Sequence, residues 1–357
     1  MTTKYRVRAV VIAAVTAVSA ALCAAIGAPS GAAPVDPVTT AGRLAASPVT
    51  ADGSRIASFT VHDPRHLTLR VFSGAMNKQI TVDVQRPADT SAPRPVLYLL
   101  NGSGGGEDHD TWNSMTDTLR FLGDKNANIV QPIGGAWSLY TDWVADDPVL
   151  GRNKWSTFLT EELPPLIDAA LAADGRNAIV GLSMAGDSVL ALAIGKPGLY
   201  RSVASYSGCA QTSDPLGQRV VKTMVEVWGH GDPANMWGPD NSPLWAANDP
   251  YVHAERLRGV NLFISAGNGL PGPHDTLDSP FLTYGSTRSP ETLANQILLG
   301  GLIEAGVNAC TRNLQNRLND LGIPATYDFT ANGTHSWGYW QDAFKQSWPV
   351  LADGLGL

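Results

Sequence analysis

Three runs of this chain leave a strand no polar face to show to water. "PVLYLL" (95–100), "RNAIVGL" (176–182) and "NLFISAG" (261–267) are almost wholly apolar. A half-exposed strand alternates; a strand buried on both faces does not, and such strands belong to parallel sheets covered by helices above and below. The segments between them supply the cover. "WSTFLTEELPPLIDAALAA" (155–173), "MAGDSVLALAIG" (184–195), "ETLANQILLGGLIEAGVNACTRNLQNRLND" (291–320) and "YWQDAFKQSWPVL" (339–351) bring apolar residues round at helical spacing. Five further β-rich runs, at 67–73, 79–86, 126–132, 202–208 and 325–329, make eight in all. A hairpin-like pair followed by strand–helix alternation predicts an α/β-hydrolase fold: a mostly parallel central sheet of about eight strands flanked by helices.

The first residues read differently. Lys4, Arg6 and Arg8 precede an Ala/Val-rich stretch that ends in small residues and Pro, with Ala28 and Ala33 as candidate cleavage positions. That layout predicts a secretory signal peptide over 1–33. An uncleaved anchor is the alternative, because the apolar run approaches the roughly 18 residues that span a bilayer. Residues 34–58, rich in Ala, Pro, Thr and Ser, read as a flexible, exposed arm. With no repeat and no later break in composition, 59–357 is expected to form one catalytic domain. Export predicts a secreted protein of the cell envelope, with no membrane-spanning segment in the mature form.

Residues 1–33 hold three bases and no acid, so their removal takes the formal net charge from −7 to −10. An acidic chain without Lys/Arg clusters argues against nucleic acid or an anionic membrane as partner. Two cysteines then remain, Cys209 and Cys310, an even number in an oxidising compartment. A disulfide needs them within reach, which spacing alone does not establish.

Chemistry concentrates around "GLSMAG" (181–186). A buried strand precedes Ser183 and a helix follows it, as a nucleophile elbow requires, and glycines at 181 and 186 permit close approach in the turn. The serine would then face the helix N-terminus, where free N–H groups and the helix dipole favour developing negative charge. An ordinary helix N-cap serine is the competing reading.

A serine nucleophile needs a base held by an acid, in the order Ser, acid, His for this fold. Of His230, His253, His274 and His335, only His335 comes just after the last predicted strand, in "TANGTHSWGYW". Pattern points to Asp275 or Asp278, in the connection after 261–267, as the acid; Glu304, on the helix before the last strand, is a third candidate whose composition reads rather as a solvated helix face. An oxyanion hole would use the Met184 N–H and a second amide from "LLNGSGGGEDHDTW", for which Ser103 is the choice. A phosphate-cradling loop is disfavoured there, since no Gly-Lys-Ser/Thr follows. The residues alone therefore point to a serine acyl hydrolase or acyltransferase.

Several stretches carry a closer likeness: "VLYLLNG", "YTDWVADD", "KWSTFLTEELPPLI", "GLSMAGDSVLALA", "NMWGPDNSPLWAANDP", "SAGNG" and "NGTHSWGYW". In this order, across about residues 66 to 350, the chain resembles the antigen 85 type mycolyltransferases of mycobacteria and their corynebacterial relatives. The resemblance implies a triad of Ser183, Glu304 and His335, with oxyanion donors at Ser103 and Met184. It places Asn101, Gly102 and Trp337 at the substrate site. It implies transfer of a mycoloyl chain from trehalose monomycolate through an acyl-Ser183 intermediate to a sugar hydroxyl, of trehalose monomycolate or of arabinogalactan. No metal or cofactor is implied, since His335 handles the protons of both half-reactions, and a monomer is expected.

The departures from the family are local. Asn101 stands where mycobacterial members have an acid and Gly104 where they have an arginine, with Glu107 and Asp108 further along, which places the chain nearer the corynebacterial branch. The family's cysteine pair between "DWVADD" and "KWSTFL" is missing; Cys209 and Cys310 would instead tie the loop after the 202–208 strand to the helix of Glu304. Leu216, Trp228, Trp237 and Trp245 are candidates for holding a long chain or for ordinary packing. Two competing functions remain: a secreted carboxylesterase with water as acceptor, and a non-catalytic surface-displayed paralogue that binds carbohydrate or matrix.

Overall fold

The expected parallel core is present. The structure, a computed structural model, describes residues 37–282 and 288–357, so the predicted signal peptide lies outside the described residues. Strands β1 (Arg55–Val61), β2 (His66–Ser73), β3 (Lys78–Gln85), β4 (Arg94–Leu100), β5 (Asn128–Ile133), β6 (Ala173–Leu182), β7 (Tyr200–Tyr206), β8 (Asn261–Ala266) and β9 (Thr326–Phe329) form one sheet. Its order is β1-β2-β3-β5-β4-β6-β7-β8-β9. The pairs from β1 to β5 are antiparallel, and those from β5 through β4 to β9 are parallel.

The eight predicted strands are β2 to β9. The ninth falls where an arm was expected: within 34–58, residues Pro37–Ala45 form helix α1, which buries Leu44, and the chain enters β1 at Arg55. Neither shows plainly in the sequence. β1 is an edge strand, mostly exposed and irregular between Ile56 and Ser58. Its place comes from backbone pairing with β2 and from Ile56 and Phe59, which pack against the core.

Side chains of the central strands divide between two cores, as the twofold strand period requires. Tyr98, Leu100, Ile179, Val203 and Ile264 point to one face. There they meet α2 (residues 155–171, widened to a π turn over Phe158–Glu162), α3 (Met184–Gly195) and α4 (Gly301–Asp320). Leu97, Leu99, Val180, Ala204 and Phe263 point to the other, against α5 (Trp337–Leu355). On α5, Phe344 is fully buried, with Trp112 at 5.5 Å and Phe121 at 6.1 Å between ring centroids. Truncating such a side chain to Ala costs about 3–5 kcal/mol.

β4, β6, β7 and β8 all end on the same edge of the sheet, because they run parallel. Loops beyond the carboxyl ends of parallel strands are where such folds gather their chemistry. Cys209, just after β7, is bonded to Cys310 on α4, with Cα atoms 5.1 Å apart and the two residues 101 positions apart in sequence. The crosslink thus joins the β7 edge to the helix that carries Glu304.

Candidate active site

The turn after β6 explains why its flanking residues are glycines. A side chain on Gly181 would run into the Ala185 carbonyl, and one on Gly186 would stand 2.8 Å from the Tyr206 carbonyl oxygen and 2.9 Å from Gly208 Cα. Between them Ser183 takes φ 55° and ψ −124°, a conformation costly for a residue with a Cβ. Its N–H donates to Tyr206 O at 2.8 Å, which pins the turn to β7. The hydroxyl makes no cap bond to α3, so an ordinary N-cap does not account for this serine.

The Oγ of Ser183 instead lies 2.8 Å from Nε2 of His335. Nδ1 of the same ring lies 2.7 Å from Oε2 of Glu304. A carboxylate only accepts, so Nδ1 carries the proton and Nε2 accepts from the serine hydroxyl. Glu304 is 1% exposed, and its Oε1 accepts from the Ser207 hydroxyl at 2.8 Å and the Gly267 N–H at 2.6 Å. Three donors from three strand ends therefore meet one carboxylate. The helix leading to it widens into a π turn over Gln296–Gly300, and Gly300 O accepts from the His335 N–H at 3.2 Å. Such turns recur at functional sites because they shift the helix face they interrupt.

Two supports have no motif in the sequence. Ser207, with φ 51°, comes from the end of β7. Trp340, five residues after the histidine, donates from its indole N–H to Ser207 Oγ at 2.9 Å. Its ring also stands edge-on to the imidazole, 4.9 Å between centroids. The spacing within "HSWGYW" placed Trp340 on the following helix, but the contact depends on how α5 docks.

The glycine-rich loop after β4 reaches the serine. A Cβ built on Gly102 would lie 3.7 Å from Ser183 Cβ, so the Ser103 backbone runs beside the elbow. Ser103 O accepts from the Trp137 N–H at 2.7 Å, and Gly105 O from the Gly134 N–H at 2.9 Å. The segment 137–140 that braces this loop holds Trp137, Leu139 and Tyr140 at positive φ. The buried Met184 accepts from the Leu139 N–H through Sδ at 3.4 Å.

Two residues that the family likeness places at the substrate site are buried in the structure. Asn101 is wholly buried; its Oδ1 accepts from the Trp112 N–H at 3.3 Å and its Nδ2 points to Gly105 O and Pro132 O. Trp337 is buried edge-on against Trp112 (5.7 Å) and Trp340 (5.3 Å), as part of the core under α5. Glu107 and Asp108 sit exposed at the tip of the glycine-rich loop.

The alternative acids and histidines lie elsewhere. Asp275 is buried among Thr334, Tyr339, Gln296 and Gly272, and Asp278 is exposed. His274 meets Asp342 at 2.7 Å, His253 stands 3.9 Å from Glu255, and His230 is exposed. Of the four chain-holding candidates, Trp237 and Trp245 pack together in the core at 5.1 Å. Leu216 and Trp228 are exposed, and Trp228 lies against Trp137 at 6.2 Å, on the brace of the glycine-rich loop. Burial, and after it the Asp249 carboxylate, pushes Asp187 on the first turn of α3 well above the usual carboxylate range.

Comparison with known proteins gives the family and the fold. Residues 73–351 match the family model described as "Putative esterase". The chain is 32% identical over 296 residues to the diacylglycerol acyltransferase/mycolyltransferase Ag85B of Mycobacterium leprae (strain TN), covering 80% of this chain and 83% of that one. It is also 32% identical over 298 residues to Ag85A of the same organism, covering 81% and 83%. Among solved structures it is similar to MPT51 (FbpC1) of Mycobacterium tuberculosis, with TM-score 0.64, 24% identity, and 81% of this chain and 98% of that one covered. An S-formylglutathione hydrolase from Agrobacterium tumefaciens superposes with TM-score 0.60 at 17% identity, over 84% and 99%; these two likenesses concern the fold. With the α/β-hydrolase sheet and two curated relatives above 30% identity over most of its length, the chain belongs to the esterase family and, within it, to the antigen 85 type mycolyltransferases.

Proposed function

We propose that this protein is an exported acyltransferase that moves a mycoloyl group from trehalose monomycolate, through an ester on Ser183, to a sugar hydroxyl of trehalose monomycolate or arabinogalactan. The observation that carries the reading is the unbroken chain from Ser183 Oγ through His335 to Glu304 Oε2, at 2.8 and 2.7 Å. The names of the curated relatives support the acyl class.

The chemistry follows from those positions. Ser183 Oγ attacks the ester carbon while Nε2 of His335 takes its proton. Glu304 holds the ring and offsets the charge that forms on it. The N–H groups of Met184 and Ser103 receive the oxyanion at the α3 N-terminus, where they need no reorganisation. His335 then returns the proton to the departing sugar oxygen, and the acceptor hydroxyl repeats the sequence in reverse. Export is supported by the basic-apolar-small opening of the chain and by the Cys209–Cys310 bond, a feature of oxidising compartments.

The test supplies purified mature protein with trehalose monomycolate and labelled trehalose. Label in acylated trehalose, absent with Ser183→Ala, is the expected result. Free mycolic acid without labelled ester means that water is the acceptor and the protein is an esterase. No turnover, together with no reaction of Ser183 with a fluorophosphonate, overturns the enzyme reading in favour of a binding protein.

A further inference from the structure

Asp275 is a buried acid that the reaction does not use, yet every acceptor site on its carboxylate is taken. Oδ1 accepts from the Thr334 hydroxyl at 2.6 Å and from Gln296 Nε2 at 2.8 Å. Oδ2 accepts from the Tyr339 hydroxyl at 2.6 Å and from the Gly272 N–H at 2.8 Å. Four donors fill the four lone-pair sites that an ionised carboxylate offers. Burial, with Asp275 beside it, holds the Tyr339 phenol far above its ordinary range, so that hydroxyl stays a donor.

Three of these donors come from the elements that carry the other two members of the site. Thr334 precedes His335 in the chain. Tyr339 lies on the first turn of α5, just beyond it. Gln296 opens the π turn that leads into α4 and Glu304. The loop of Asp275 thus clamps the histidine from both sides and fastens it to the helix of its acid. Thr334 is 1% exposed, so its hydroxyl meets Asp275 away from water.

We propose that Asp275 is the positioning residue for His335: its ionised carboxylate fixes Thr334, Tyr339 and Gln296 so that Nε2 and Nδ1 meet Ser183 and Glu304 together. The proposal rests on the reading of Ser183 as a nucleophile. Asp275 touches no reacting atom, and it acts through the backbone on either side of the histidine. An amide in its place keeps the volume but turns one two-bond acceptor into a donor that faces donors, so the clamp opens while the core stays filled. Misplacement of a catalytic group by about 1 Å costs on the order of 100-fold in rate.

The experiment measures the second-order rate of fluorophosphonate labelling at Ser183, which reports serine activation without reference to any acyl donor. Asp275→Asn is expected to slow labelling about 10- to 100-fold and to lower kcat for acyl transfer by a similar factor with KM unchanged. Asp278→Asn, at the exposed neighbour, serves as the unaffected control. Thr334→Val removes only the link next to His335, keeps the side-chain shape, and covers the case in which Asp275→Asn does not fold. Its labelling rate should fall while the chain stays folded, and its effect should not add to that of Asp275→Asn. Labelling within twofold of the parent in either folded variant overturns the proposal. Failure of the parent protein itself to label overturns the underlying serine reading instead.

Discussion

Glu304 and His335 stand 31 residues apart in the chain and 2.7 Å apart in space, one on a long helix and the other on the loop beyond the next strand. Strand β9 lies between them in sequence and pairs with β8, whose end supplies the Gly267 N–H to the same carboxylate. The acid is therefore held by the sheet edge as much as by its own helix. This divides its role into a charge, needed for the histidine, and a set of acceptors, needed by the fold.

Substitution of the acid separates the two roles. Glu304→Gln retains an oxygen for Ser207 and Gly267 but offers the imidazole no negative partner. Its kcat should fall on the order of 10⁴-fold with little change in stability. Glu304→Ala leaves the Ser207 and Gly267 donors unpaired, at a further cost of about 1–3 kcal/mol. Urea denaturation beside the kinetics reads both, and equal stability of the two variants would contradict the assignment.

The elbow stores strain that the substituent at 183 should report. Ser183→Ala and Ser183→Gly are both expected to lose at least about 10⁴-fold in activity. Only Gly occupies φ 55°, ψ −124° without penalty. Ser183→Gly should therefore be more stable than Ser183→Ala by about 1–2 kcal/mol. Thermal melts of the pair check this, and the reverse order would show that the turn is not strained.

The crosslink closes a loop of 101 residues. Loops of that length correspond to about 4–5 kcal/mol of stabilisation in the chain-entropy model. Cys209→Ser/Cys310→Ser, or reduction of the parent, should lower the unfolding free energy by up to that amount. Activity should fall as well, because the bond ties α4 to the β7 edge where Ser207 meets Glu304. Denaturation with and without reductant is the measurement; unchanged midpoints would mean that the bond contributes no net stability.

Asp187 gives a pH dependence of known sign. Burial and Asp249 raise its folded pKa above the unfolded value, so the native state keeps a proton that the unfolded chain releases. Its contribution is fully present below the unfolded carboxylate pKa of about 3.9 and is lost as pH rises toward the folded one. Asp187→Asn does not titrate. Its stability relative to the parent should thus climb steadily from pH 4 upward, read by urea titrations at pH 4, 5.5 and 7. A difference independent of pH would place Asp187 in contact with solvent or with a partner.

The parallel core was legible because burial on both faces erases the polar half of a strand, as in "PVLYLL" and "RNAIVGL", and helical segments lie between such runs to cover them. The elbow was legible for a similar reason: glycines at 181 and 186 mark places where backbone passes too close for a Cβ. His335 followed from chain order. Residue pattern alone favours Asp275 or Asp278 and reads Glu304 as a solvated helix face; only the family likeness points to Glu304. Only the packed structure decides which acid meets the imidazole, because that depends on a π turn ahead of Glu304, the docking of α5 and the convergence of Ser207 and Gly267. It also shows that Asn101 and Trp337 are buried among scaffold contacts, and that a ninth strand pairs at the edge through its backbone while only Ile56 and Phe59 turn to the core. Local pattern reports what a residue needs from its immediate neighbours in sequence. Partners brought in from distant strand ends leave no trace in that pattern, and they are the ones that orient a site.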